Sequence, residues 1–448
     1  MTVIPLVDLA AQHAAVADEV AEGWREVLAA TAFVSGPQVA AFEREYAEFI
    51  GVPHCVGTGN GTDAIEIALR AAGVGRGDEC ILPANTFIAT AEAVSRAGAT
   101  PVLVDCVDDD TYLIDTDAVA AAVTPRTAAI LPVHLYGQAA PVERLLPLAK
   151  RIGALVVEDA AQSHGARRNG TSAGALGDVA ATSFYPGKNL GAYGDAGAVL
   201  TGSSSLAARM RMIRDHGSPA RYRHEVLGVN SRLDTLQAVV LSAKLRRLAG
   251  WNAGRRAAAA RYDGLLSGCD SVTRPRTLDG NEHVWHLYPV RVPDRDRVLK
   301  ELRAAGIGAA IHYPVPVHLT PAFAELGYAE GAFPVAERSA RELLSLPLFA
   351  EITVAQQEYV MDVLKAVLLC SAEPLSLPWS RSCACPLSRS RSGLSRLRKR
   401  LSTRRLVPPP AWDSPRSRPL PRLLFRRLLF RRAALRPHRV RRRRQSAR

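Results

Sequence analysis

The chain has no two cysteines spaced as CxxC, no apolar run of membrane-spanning length and, for its 448 residues, very little lysine. Its seven cysteines, an odd number scattered from Cys55 to Cys385, give neither a disulfide framework nor a zinc-binding spacing. The opening MTVIPLVDLAAQH lacks the basic start and apolar core of a signal peptide, so a reduced cytoplasm is the expected compartment. Before residue 370 lysine stands only at Lys150, Lys188, Lys244, Lys300 and Lys365, and arginine carries the other positive charges. A position that keeps lysine in such a chain is a candidate for an amine that must lose its proton, which guanidinium cannot do.

The net charge of +14 conceals two unlike parts. Residues 370–448 hold 23 Lys and Arg against Glu373 and Asp413, whereas residues 1–369 hold 34 against 41 acids. The body is thus mildly acidic and gives no footprint for nucleic acid. The basic stretch, with runs such as SRSRSGLSRLRKR and RVRRRRQ, has no sustained helix or strand period and reads as disordered. Two accounts of it stand. It is translated sequence beyond the natural stop, breaking in after the finished helix VAQQEYVMDVLKAVL, or it is a tail that binds RNA or acidic lipid.

What the body does contain is alternation. CVGTG, ECILPA, TPVLVDC, AAILPVHLYG and ALVVEDAAQ, starting at residues 55, 79, 100, 128 and 154, are short apolar runs of the kind expected in strands covered on both faces. Helical segments are predicted between them, over 62–72, 86–97, 117–123 and 142–152. That order predicts a mainly parallel sheet with ligands at the carboxyl ends of its strands. The Arg- and Ala-rich run 234–266 reads as one or two helices leading to a smaller α/β domain.

Candidate chemistry falls at the strand ends. The stretch GDVAATSFYPGKNLGAYGDAGAVLTG reads as strand, glycine-rich loop, strand, with Lys188 in the loop. Either Lys188 is a solvated hairpin lysine, or an apolar, glycine-walled setting lowers its pKa and makes it a nucleophile toward a carbonyl. Asn60-Gly61-Thr62-Asp63 follows a strand and opens a helix, which offers bare amides to an anion, although the turn is neither GxGxxG nor a Walker loop. Asp159 closes the apolar strand ALVVED. It either caps the next segment or pairs with Arg, or it meets a cation such as a protonated pyridine nitrogen. His164 reads as a structural histidine.

Taken in order, Gly59-Asn60-Gly61-Thr62-Asp63, Pro83-Ala84-Asn85-Thr86-Phe87, Glu158-Asp159-Ala160-Ala161-Gln162, Ser183 through Gly191, Asn230-Ser231-Arg232-Leu233-Asp234 and His312-Tyr313-Pro314 resemble the DegT/DnrJ/EryC1/StrS family. The resemblance runs from about residue 3 to residue 368. It implies an α/β, fold type I aminotransferase dependent on pyridoxal phosphate: a large cofactor-binding domain over 1–235 with an N-terminal arm, connecting helices and a small C-terminal domain over 236–369, and the unrelated stretch 370–448. It also implies roles. Lys188 would form the Schiff base and move the proton, and Asp159 would hold the pyridine nitrogen protonated. Phe87 would stack on the ring and Gln162 would bond its 3-oxygen. Gly61, Thr62 and Ser183 would hold the phosphate together with Asn230 of a second subunit, which makes the site a property of a homodimer. Tyr313 and His318 are placed on the sugar side.

The implied reaction moves an amino group, with glutamate as donor, onto a nucleotide-linked keto-deoxysugar. PANTFIAT, PVHLYGQ, SFYPGKNLGA and IHYPVPVH look most like enzymes of amino-sugar biosynthesis acting at the 3-keto position of dTDP-6-deoxyhexoses. A 4-keto sugar or a ketocyclitol is the alternative of the same chemistry, and a cofactor-binding regulator is the alternative of another class. Lys188 argues against a dehydratase, in which histidine replaces the lysine. No metal and no membrane is expected, and nucleic acid only non-specifically through the basic stretch.

Overall fold

The computed structural model describes residues 3–369; residues 1–2 and 370–448, and with them the reading of the basic stretch, lie outside the described residues. The apolar runs form strands β1 (His54–Thr58), β2 (Glu79–Pro83), β3 (Thr100–Val104), β4 (Thr127–Ile130), β5 (Leu155–Asp159), β6 (Val179–Ser183) and β7 (Gly197–Thr201). They make one sheet in the order β1-β7-β6-β5-β4-β2-β3. Only β7 runs antiparallel to its neighbours; the other pairings are parallel. Every residue of β2 is buried, and alternate residues face opposite sides: Cys80 and Leu82 join one apolar cluster and Ile81 the other. Such a strand reads as a continuous apolar run because neither face is left to water.

Helix Gly61–Ala71 covers the first face, and its sequence explains both its start and its burial. Asn60 Oδ1 accepts from Asp63 N at 2.8 Å, a cap whose loss costs about 1 kcal/mol. Ala64, Ile65, Ile67, Ala68, Leu69 and Ala71 are all buried, between the sheet and the helices Ala89–Arg96 and Ser204–Arg214. Helix Val142–Ile152 covers the other face with Val142, Leu145 and Leu148, as its spacing predicts.

A second core gathers around the antiparallel pair β8 (Tyr288–Arg291) and β9 (Leu343–Leu346) and helices Arg295–Ala304 and Val354–Leu369. Two features cross the division expected at residue 235. The run predicted as one or two helices is a single helix, Thr235–Leu265, whose 31 residues span about 46 Å. Its first half (Ala238, Leu241, Leu248) packs beneath the large sheet, while Ala258, Ala259 and Tyr262 belong to the second core. The N-terminal segment also leaves the large sheet: Ile4 is buried in the second core and exchanges backbone hydrogen bonds with Gly306 and Gly308. Among the described residues no helix is long and apolar enough to cross a membrane.

Candidate active site

Because β1, β2, β5 and β6 are parallel, their carboxyl ends share one edge of the sheet, and the loops leaving them line a cavity of about 420 Å³. That size suits a small organic ligand. Asn60, Gly61 and Thr62 come from the loop after β1, Thr86 and Phe87 from that after β2, Asp159 and Gln162 from β5, and Ser183 and Lys188 from β6. The second core adds His286, His312 and Tyr313, and the N-terminal segment adds Leu6 and Val7.

Lys188 sits in the turn that closes β6, where its amide donates to Tyr185 O at 2.8 Å. The residue is half-buried and its side chain lines the cavity. Burial lowers its amine from 10.5 to about 8, and the Asp159 carboxylate opposes part of that shift.

Asp159 is 6 % exposed. Its Oδ2 accepts from Thr90 Oγ1 at 2.7 Å and its Oδ1 from Ala161 N at 3.2 Å. Among the described residues it forms no ion pair, so a buried carboxylate faces the cavity held only by neutral donors. Such a group calls for a cation from whatever the cavity binds.

Gln162 is oriented from both ends. Its Oε1 accepts from Tyr136 N at 2.7 Å, and its Nε2 donates to Tyr313 Oη at 2.9 Å, leaving one amide proton free. The Phe87 ring is 52 % exposed at the cavity, 5.4 Å from the Tyr313 ring. A large apolar face left open there suits a flat ligand.

The first-turn amides of Gly61 and Thr62 have no acceptor within their helix, and Ser183 approaches the same turn. The approach needs glycine: a Cβ on Gly61 would lie 2.5 Å from Ser183 Cβ.

Two of the expected residues do not line this cavity, and for Asn230 the expectation was a place in a second subunit's site. His318 does not line the cavity: it is buried in the turn Val317–Leu319, where Nε2 meets Glu337 Oε1 at 2.9 Å and the ring stands edge-on to Phe333. Its partners are thus Glu337 and Phe333 rather than the groups around the cavity. Asn230 is exposed, bridged to Asp215, and outside the cavity of its own chain. His164 does not line the cavity: its Nε2 lies 3.0 Å from Thr182 Oγ1, and burial, with the Lys188 charge, lowers its pKa to about 3. Sequence reasoning assigned no role to Thr90 and His312, which stand in quoted motifs, and passed over His286, Leu6 and Val7, which reach the site through tertiary packing.

A doubly covered sheet with one reversed strand thus carries an amine of lowered pKa and an unpaired carboxylate in one cavity, and the class with which this agrees is the pyridoxal-phosphate-dependent aminotransferases, to which comparison with known proteins assigns the chain. Residues 15–365 match the DegT/DnrJ/EryC1/StrS aminotransferase family, and the chain belongs to it, as a sugar aminotransferase. It is 48% identical over 361 residues to a pleiotropic regulatory protein of Geobacillus stearothermophilus, covering 80% of this chain and 97% of that one. It is 46% identical over 362 residues to the dTDP-3-amino-3,4,6-trideoxy-alpha-D-glucose transaminase of Streptomyces venezuelae, covering 81% and 95%. In structure it resembles S. venezuelae DesV in complex with a ketimine intermediate, with a TM-score of 0.80 and 46% identity over 82% of this chain and 98% of that one.

Proposed function

We propose that this protein transfers an amino group from glutamate to the 3-keto carbon of a dTDP-linked 6-deoxyhexose, for amino-sugar biosynthesis, as a homodimer with shared sites. The observation that carries the chemistry is the placement of Lys188 and Asp159 in one cavity, the amine near neutrality and the carboxylate without a cation. The 46% identity to a dTDP-3-amino-sugar transaminase supports the choice of sugar.

Pyridoxal phosphate, when bound, supplies the electron sink for the carbon that gains or loses nitrogen. The residues present fit it. Asp159 would keep the ring nitrogen protonated, Phe87 would cover the ring, and the free Nε2 proton of Gln162 would meet the ring oxygen. Gly61, Thr62 and Ser183 would hold the phosphate, with Asn230 of the second subunit. Lys188 Nζ, able to be neutral near pH 8, would take the proton from the substrate carbon and return it. Tyr313, whose hydroxyl is held by Gln162 and kept protonated by burial, faces the sugar.

The test is incubation of the purified protein with 15N-glutamate and dTDP-, UDP- and GDP-linked 3-keto and 4-keto sugars, read by mass spectrometry. Label is expected on the dTDP-3-keto sugar. Transfer only to 4-keto sugars would correct the position; transfer to none would favour a regulator, the reading that the regulatory relative supports.

A further inference from the structure

His286 lines the cavity, yet no role given above uses it. Its backbone is fixed from behind. Gly137 adopts φ +114°, and a Cβ there would lie 2.6 Å from His286 N, so only glycine lets the two segments meet. Val284 N donates to Gly137 O at 2.9 Å and Leu287 N to Tyr136 O at 3.2 Å. Arg255, buried on the long helix, donates to Trp285 O at 3.2 Å and to Leu348 O at 3.0 Å.

The bonds of Asn189, the neighbour of Lys188, decide where the proton on the His286 ring is. Val284 O can only accept, so the Asn189 atom 3.0 Å from it is Nδ2. The same Nδ2 lies 3.0 Å from Asn252 Oδ1, whose own Nδ2 is committed to His164 O at 2.8 Å. Asn189 Oδ1 is therefore an acceptor, and His286 Nδ1, 3.2 Å away, must carry the proton. Burial, reinforced by the charges of Lys188 and Arg255, pushes the ring well below its ordinary pKa. The ring is neutral and Nε2 keeps its lone pair. Among the described residues Nε2 bonds no protein group and keeps some exposure, on a residue that lines the cavity.

We propose that His286 Nε2 is a fixed hydrogen-bond acceptor for a hydroxyl of the keto-sugar, and so a residue that selects the sugar. A lone pair repels carboxylate and phosphate oxygens, which excludes the acid groups of glutamate and the diphosphate. The ammonium of glutamate is spent at the reacting carbon. What remains is a hydroxyl, which the sugar brings and glutamate does not. The inference rests on the cavity accepting a keto-sugar, as proposed above.

Two measurements on the holoenzyme test it. In protein labelled with 15N at histidine, the His286 signal, assigned by its absence in H286Q, is expected to be that of a neutral ring protonated at Nδ1. Asn189→Ala should release that pattern. A ring charged at pH 7, or protonated at Nε2, overturns the inference without any substrate. In single-turnover assays of the two half-reactions, H286F should lower the efficiency of the sugar half relative to the glutamate half about 10-fold. H286Q, whose amide oxygen reaches toward the position of Nε2, should recover part of that ratio. An unchanged ratio in an enzyme active on a keto-sugar sinks this inference alone, whereas wild-type protein that takes nitrogen from glutamate and passes it to no keto-sugar sinks the proposed function and this inference with it.

Discussion

Two of the described lysines have amines lowered to about 8 by burial, Lys188 and Lys244, and what separates them is geometry. Lys244 is 2 % exposed, its Nζ bonds Gly191 O at 2.7 Å, and it lies 4.7 Å from the Tyr193 ring centroid. It is spent on holding the loop that follows Lys188. Lys188 alone turns to the cavity. With a pKa of about 8, roughly a tenth of the Lys188 amines are neutral at pH 7, against about one in three thousand at the ordinary value. Covalent attachment of pyridoxal phosphate, trapped with borohydride, should therefore accelerate as pH rises toward 8 and level off above it. An inflection near 10 would mean a solvated amine, and a pyridoxyl peptide on Lys244 would move the site. The scarcity of lysine made Lys188 visible in the sequence, and a carboxylate closing the apolar strand ALVVED did the same for Asp159. His286 was not visible. It stands in none of the motifs quoted above, and the ring's proton is set by Asn189, 97 positions away. For His318 the spacing of HYPVPVH suggests a place beside Tyr313, while the structure sets it in a turn against the distant Glu337, outside the cavity lining.

At the scale of elements, the site depends on how closely the helix after β1 meets the end of β6. Gly61 lets that helix start against Ser183, where a Cβ would be only 2.5 Å away. Gly61→Ala must push the helix start from the strand end, and overpacking of this kind costs about 1–3 kcal/mol. The variant is expected to melt earlier and to bind pyridoxal phosphate more weakly. Adding Ser183→Gly should restore the melting temperature by removing the clash, but not the affinity, because the hydroxyl is lost with it; coupling of the two substitutions is the signature of direct contact. An unaltered melting temperature in Gly61→Ala would show that strand and helix separate freely there. The strands and the covering helices were legible because burial on both faces leaves an unbroken apolar run and burial on one face leaves a helical stripe. The unity of helix Thr235–Leu265 was not, since its successive parts face different cores and no single stripe runs its length.

At the scale of the whole molecule, the two cores are tied twice, by that long helix and by the segment around Ile4, so the cavity between their residues is framed by one connected unit. This tie was hidden in the sequence, where Ile4 and Leu6 carry no motif and hydrogen-bond residues some 300 positions on. Asn230 raises the remaining question of what completes the site. It lies at the end of an exposed segment bearing Tyr222 at 81 % and Leu227 at 89 % exposure, and it does not line the site cavity of its own chain. Large apolar side chains left open beside a polar residue suit a surface that a second copy covers. If Asn230 completes the phosphate site of that second copy, then Asn230→Ala and Lys188→Ala homodimers each have two defective sites. Mixed and allowed to exchange, about half of the dimers become hybrids, each with one site that has Lys188 from one chain and Asn230 from the other, so roughly a quarter of wild-type activity should return. The comparison requires that Asn230→Ala alone be clearly impaired, and one lost hydrogen bond to a charged phosphate is worth about 1.5–3 kcal/mol, or at least a tenfold effect. With exchange verified by mass, recovery in the mixture places Asn230 across a two-fold axis from Lys188; no recovery would leave each chain to complete its own site, and the exposed segment would need another partner.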